Sequence, residues 1–276
     1  MVFARHINPQ SIFRAFKYAV YAILTLNVFL FFQEESLATA QTFSQGIDIA
    51  DIIQGFASTI DTAAWVLLLL MFELETSVLE DKTLLKPKVQ LSFIAIRTFC
   101  YGFIVYSFYG YASKMLSLYD ISPVVITDLC AQLDQGFSRI LTIDEYPLLD
   151  PQSCLLLAEQ DLFRLNGQQL LGSADDWTAI QWLAWVDVIN SITWIAVVVI
   201  LEADVWLQLR GRHKGLFVGI SQMIKVVLYS ILFAAAAYWG LLGDFLDFWD
   251  AFMWLVAFVF IEMNIFQWQA ETSSAS

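Results

Sequence analysis

Six apolar blocks, at about 14–32, 62–79, 89–112, 183–206, 216–240 and 249–268, set the terms on which this chain can fold. A helix needs about 20 mostly apolar residues to cross the hydrocarbon core of a bilayer, and each block approaches or meets that length. Of 276 residues, 59% are hydrophobic and 15% charged, where a soluble domain carries roughly a quarter charged residues. The apolar residues come in runs, not at amphipathic spacing. The expected class is therefore an all-α integral membrane protein with six transmembrane helices, one membrane domain over 1–276.

Lys and Arg between the blocks orient the chain, because cytoplasmic segments collect positive charge. With the N-terminus inside, the inner segments hold Arg5, Arg14, Lys17, Lys82, Lys86, Lys88, Arg210, Arg212 and Lys214, and the outer ones Lys114, Arg139 and Arg164. Both termini are then cytoplasmic, in a bacterial inner membrane or its equivalent. Counting Arg97 and Lys225 as inner, the outer side carries 19 acidic and 3 basic residues, the inner side 8 and 11. So acidic an outer face concentrates cations and repels anions; the plainer reading is a soluble surface that satisfies the positive-inside rule. Residues 1–40 also resemble a signal peptide ending at Ala38-Thr39-Ala40. The first block takes part in the repeat described next, so it is read as a retained span.

Three blocks share one pattern. Asp61 precedes Trp65 by four, and Glu73 and Glu75 follow by eight and ten. Asn190, Trp194, Glu202 and Asp204 repeat these offsets, as do Asp250, Trp254, Glu262 and Asn264. The blocks before them match as well: Lys17–Tyr21, Arg97–Tyr101 and Lys225–Tyr229 are each four apart, with Phe31, Tyr111 and Trp239 ten beyond each Tyr. Fixed-period self-similarity marks repeat architecture, here three tandem two-helix hairpins.

The second hairpin's outer connection, 113–182, is too long for a plain loop. Ser122-Pro123 and Asp150-Pro151 look like N-caps followed by Pro at the first helical position, and Asn166-Gly167 like a helix stop. These signals predict a helical extracytoplasmic cap with helices at about 123–141 and 151–165. A third start at Ser173 leads through Trp177, Trp182 and Trp185 into the fourth span. Cys130 and Cys154 fall on the two predicted cap helices, on the oxidising side, and are a disulfide candidate. Cys100 lies in the third span and reads as an inert packing residue.

Ionisable residues within spans are costly and mark function by default. Glu73 lies twelve residues past Asp61, about 18 Å along the helix, at a depth Lys17 shares. Equal depth pairs Lys17 with Glu73, Arg97 with Glu202 and Lys225 with Glu262. Such pairs alone would be structural. Glu75, Asp204 and Asn264 sit two residues further on, rotated by about 200°, and with Glu73, Glu202 and Glu262 they could form a ring of the kind cation pores use. Two functions follow: a channel or secondary transporter for a cation or proton, or a non-catalytic subunit of a larger membrane assembly.

Enzymatic chemistry is not expected. No CxxC, HExxH or GxSxG occurs, His6 and His213 are the two histidines, and no phosphate-binding glycine loop is present. No cofactor is expected, and the sequence specifies no metal. The expected partners are membrane lipids, a cation or proton, and a second copy or other membrane subunits, with no nucleic acid.

Overall fold

The computed structural model describes residues 9–42, 49–79, 81–84, 86–209, 216–242 and 244–274; within these, side chains are described for 11–41, 51–75, 78–79, 82–83, 86–204, 219–242 and 244–260. The protein is mostly helical, and local sequence signals explain where the helices begin and end. Helix α1 spans Pro9–Thr42, α2 Ile49–Gly55 and α3 Ala57–Glu73. A five-residue π turn, Leu74–Val78, follows α3, and α4 (Asp81–Leu84) is a single short turn. Helix α5 (Pro87–Ser117) opens with Pro at its first position, where a missing N–H costs nothing. Helices α6 (Pro151–Leu157), α7 (Ala174–Leu209), α8 (Leu216–Leu242) and α9 (Phe245–Ser274) complete the set.

The long helices close into a ring in the order α1, α3, α5, α7, α8, α9, with α9 packed back against α1. Four of them, α1, α5, α7 and α8, contain stretches long and apolar enough to cross a membrane: Ser11–Gln41, Pro87–Ser117, Ala174–Asp204 and Gly219–Leu242. Helix α3 has 17 residues before its π turn, and the side chains of α9 beyond residue 260 lie outside the described set. The outward faces are apolar. Leu91, Ile94, Phe99 and Val105 on α5, and Met223, Val226 and Phe233 on α8, are all well exposed. Soluble monomers rarely expose contiguous apolar patches of this kind, and the chain is built for membrane association.

Inside the ring, Trp65, Trp194 and Trp254 form the centre of a core with Leu24, Leu69, Val197, Leu232 and Phe258. Helix α2 lies against α5 at Gly110, where a Cβ would come within 2.5 Å of the Ile53 carbonyl oxygen. The fold therefore requires glycine at 110.

The cap differs from the helical expectation. It is mixed, with a four-stranded sheet ordered β1 (Ile121–Val124), β3 (Leu162–Leu165), β4 (Leu170–Ser173) and β2 (Ser138–Arg139). The β1–β3 and β3–β4 pairs are antiparallel and β2–β4 parallel. Ser122-Pro123 does not start a helix. It lies in edge strand β1, where Pro is tolerated and the β-branched residues Ile121, Val124, Val125 and Ile126 favour extended backbone. Asn166-Gly167 turns the β3–β4 hairpin, with Gly167 at φ 79°. Asn-Gly between two apolar runs is a strong hairpin signal. Asp150-Pro151 does start a helix, with a reciprocal capping box between Asp150 and Ser153, but α6 ends at Leu157 rather than 165. A 3₁₀ turn at Cys130–Gln135 is tied to α6 by the Cys130–Cys154 disulfide, Cα–Cα 5.2 Å. Because α5 runs to Ser117 and α7 begins at Ala174, the cap occupies 118–173, less than the expected 113–182.

Candidate functional site

Each of α3, α7 and α9 presents one face to the ring's interior near the cap. On α3 that face is Ser58, Asp61, Thr62 and Trp65; on α7 it is Asp187, Asn190 and Trp194; on α9 it is Asp247, Asp250, Ala251, Trp254 and Phe258. The spacing is that of one helical stripe, and it extends the repeat pattern by a position three residues before each Asp or Asn. Phe31, Tyr111 and Trp239, the other matching residues, complete the wall, and Asp144 enters from the cap. Together they enclose a cavity of about 50 Å³. At about 10–15 Å³ per water, it has room for about three to five.

The cavity is acidic. Asp61, Asp144, Asp187, Asp247 and Asp250 line it, and among the described residues no Lys or Arg does. Lys114, at the end of α5, pairs with Asp144. Asn27 on α1 donates from Nδ2 to Asp250 Oδ1 at 2.7 Å. Three lining atoms are left over: Asp61 Oδ1, Asn190 Oδ1 and the donor Trp239 Nε1 are buried with no hydrogen-bond partner. Satisfied polar groups are the rule in protein interiors, and such exceptions call for an explanation. Beside the cavity, Glu35 on α1 caps the start of α3, accepting from the Ser58 and Thr59 amides at 2.8 and 3.0 Å and from Thr59 Oγ1 at 2.6 Å. At the mouth, in the turn before α9, burial pushes the Asp244 carboxyl above its ordinary range.

A floor of aromatic rings closes the cavity away from the cap. Trp65 lies 6.0 Å from Trp194 and 6.2 Å from Trp254, centroid to centroid, and Trp194 lies 4.6 Å from Phe258. Below it is a second cavity of about 290 Å³, lined by Leu68, Leu69, Phe72, Val198 and Leu201 with Arg97, Tyr101 and Glu202. Trp65, Trp254 and Phe258 line both spaces. They are the wall between them.

At that lower level the charges singled out from sequence are arranged as pairs. Lys17 Nζ meets Glu73 at 2.7 and 2.8 Å, with both side chains buried. Tyr18 and Tyr21 donate hydroxyls to the same carboxylate at 3.0 and 3.4 Å. The expected Arg97–Glu202 pair is not formed. Arg97 pairs with Glu75 in the π turn after α3, and Glu202 accepts from the Tyr101 hydroxyl at 3.0 Å. Lys225 pairs with Asp204 on α7 at 3.0 Å, and Asp204 also accepts from Ser221 Oγ at 2.6 Å. Its expected partner Glu262 has a side chain outside the described residues, as does Asn264.

The departures follow one rule. Arg97 and Lys225 each take the second acidic position of the preceding helix in the ring, Glu75 and Asp204. For Lys17 that position is Asn264 in the sequence, an amide without charge, and Lys17 pairs with Glu73 instead. The π turn after Glu73 separates Glu73 from Glu75, so that one faces α1 and the other α5. The six-residue ring of carboxylates and amide expected at this level is not what the described members form.

Asp61, Asn190 and Asp250 stand out in the sequence as repeat positions, whereas Asp187, Asp247, Asp144 and Asn27 do not enter the repeat pattern. The signal for Asp187 and Asp247 was available, since both stand seven residues before a repeat Trp. No family model, curated protein or solved structure matches the chain.

Proposed function

We propose that the protein is a membrane channel or secondary transporter for a cation or proton, and that its site is the acidic cavity near the cap. The observation that carries this reading is the convergence of equivalent positions from α3, α7 and α9 on one water-sized space. Carboxylates outnumber bases there. Sites at repeat interfaces, near the middle of a bundle, are where transporters place their substrates. Acidic linings select for cations. The six ring helices are then six spans, in three hairpins α1–α3, α5–α7 and α8–α9, with the cap outside and both termini inside, in the cytoplasmic membrane. No catalytic role is assigned.

In this arrangement the Trp65–Trp194–Trp254 floor is the closed gate between an outer acidic site and an inner vestibule bearing Arg97 and Glu202. Purified protein in liposomes should pass a cation or protons down a gradient. Asp61→Asn with Asp250→Asn should abolish the flux without lowering the melting temperature. Wild-type protein that passes neither cations nor protons would remove the transport reading.

A second reading, an assembly subunit working with other membrane chains or a second copy, has its own support. The lower-level charges Lys17–Glu73, Arg97–Glu75 and Lys225–Asp204 are closed pairs and offer nothing to a moving ion. Cross-linking in native membranes separates the two: a stoichiometric partner with no flux favours the subunit. The topology has its own test. Single cysteines at Arg139 and Asp161 should react with an impermeant outside reagent, and those at Lys82 and Arg212 should not.

A further inference from the structure

We infer that the acidic cavity binds a small ammonium-type cation, ammonium itself or a short primary alkylammonium. The inference rests on the reading of this cavity as the cation site, and it names the ligand. Four observations converge on that chemistry. Asp61, Asp187, Asp247 and Asp250 line a small enclosed space with no Lys or Arg in its wall. Buried charge of one sign is costly, and a cationic ligand relieves that cost. Of the three lining atoms left without partners, one is a donor, Trp239 Nε1, and two are acceptors, Asp61 Oδ1 and Asn190 Oδ1, with Asp61 nine-tenths buried. A ligand that completes the two acceptors must bring N–H or O–H donors.

The wall also selects the kind of cation. A hard divalent ion takes six or more oxygens at close range, yet among the described residues no three carboxylates come together as a metal site. In their place stand four indoles, Trp65, Trp194, Trp239 and Trp254, with Tyr111 and Phe31. Aromatic walls attract cations whose charge is spread over N–H or C–H groups, and Trp does so best. The volume, about 50 Å³, admits a ligand of a few heavy atoms. A quaternary ammonium has no N–H for the two free oxygens.

The test is an intrinsic tryptophan fluorescence titration of the purified full chain in lipid nanodiscs, at fixed pH and ionic strength. Ammonium chloride and methylammonium chloride should give a saturable change. Sodium chloride and tetramethylammonium chloride should give none and should not compete. Asp61→Asn replaces a charge-assisted contact by a neutral one and should weaken binding about 10- to 100-fold. Asn190→Leu, which leaves all charges in place, should weaken it by a smaller factor, about 5- to 10-fold. The melting temperature of each variant reports its folding, and the second variant keeps the question answerable if the first does not fold.

No saturable response in the wild type, or equal response to sodium, overturns the inference. A response that follows pH alone, indifferent to ammonium, also overturns it and assigns protons to the cavity. Binding and transport fail separately. Ammonium binding without liposome flux keeps the site and removes transport, whereas sodium or proton flux without ammonium binding does the reverse.

Discussion

The two ends of the helical ring treat buried charge in opposite ways. At the end away from the cap, Lys17 and Glu73 sit together, both buried, with Tyr18 and Tyr21 completing the carboxylate's hydrogen bonds. Toward the cap, five aspartates line one cavity, and among the described residues only Asp144 has a basic partner. The same three helices, α3, α7 and α9, run through both levels. Charges that fix helix packing are matched in place, whereas four of the aspartates toward the cap have no basic partner among the described residues.

That contrast can be broken most directly at Lys17. Glu73→Gln leaves a buried ammonium without its counter-ion, and one-sided removal of a buried pair costs about 3–5 kcal/mol. Lys17→Met with Glu73→Gln should recover most of this loss in thermal unfolding. Asp61→Asn, at the other end, should leave the melting temperature unchanged or raise it. If Asp61→Asn proved as damaging as Glu73→Gln, the two ends would not differ in kind.

The cap comes next in size. Cys154→Ser opens the disulfide to Cys130 and should cost the cap about 2–4 kcal/mol, read as faster proteolysis of 118–173 with the helices intact. Third is Asp204→Asn, which removes the partner of partly buried Lys225; charged hydrogen bonds of this kind contribute about 1.5–3 kcal/mol. Fourth is Arg97→Gln. The Arg97–Glu75 pair is partly exposed, and its loss should cost about 1 kcal/mol, in a double-mutant cycle with Glu75→Gln.

The smallest effect is a pH dependence in the cap. Backbone and side-chain hydrogen bonds from Ser153, then Gln152, hold the Asp150 carboxyl below its ordinary value. A group depressed on folding contributes stability above its unfolded pKa and loses it as pH falls through the folded one. The cap should therefore lose this contribution at acidic pH, below the ordinary carboxylate range. Asp150→Asn, which still caps, should flatten that part of the pH profile.

Periodicity and offset reported well what they encode. The apolar blocks located the long helices, and the i, i+4, i+12 offsets picked out Asp61, Trp65 and Glu73 with their counterparts as special. Depth along a helix is linear in sequence, so Lys17–Glu73 could be matched from numbers alone. Azimuth is not. Helix α5 lies between α3 and α7, giving Arg97 two acids at comparable depth, and only the rotation of the helices and the π turn at Leu74–Val78 decide for Glu75. The same gap hid the cavity, because Asp61 on an outward face and Asp61 on an inward face have one spacing. In the cap the error was chemical. Pro123 and Asn166-Gly167 serve helix ends and strand turns alike, and the extended β-branched run after Ile121 decided between them.

The hydrogen bond from Asn27 to Asp250 joins residues 223 positions apart. Chains emerge at about 5–20 residues per second, so roughly 10–45 s of synthesis separate the donor from its acceptor. Throughout that interval α1 has no α9 beside it, and the nascent arc of helices presents Asn27 and the unfinished aspartate wall to lipid. The acidic cavity is therefore closed only once α9 has been made. A truncation before Asp247 would insert most of the helices yet leave an open trough in place of a pocket, a species that quality-control proteases are suited to remove.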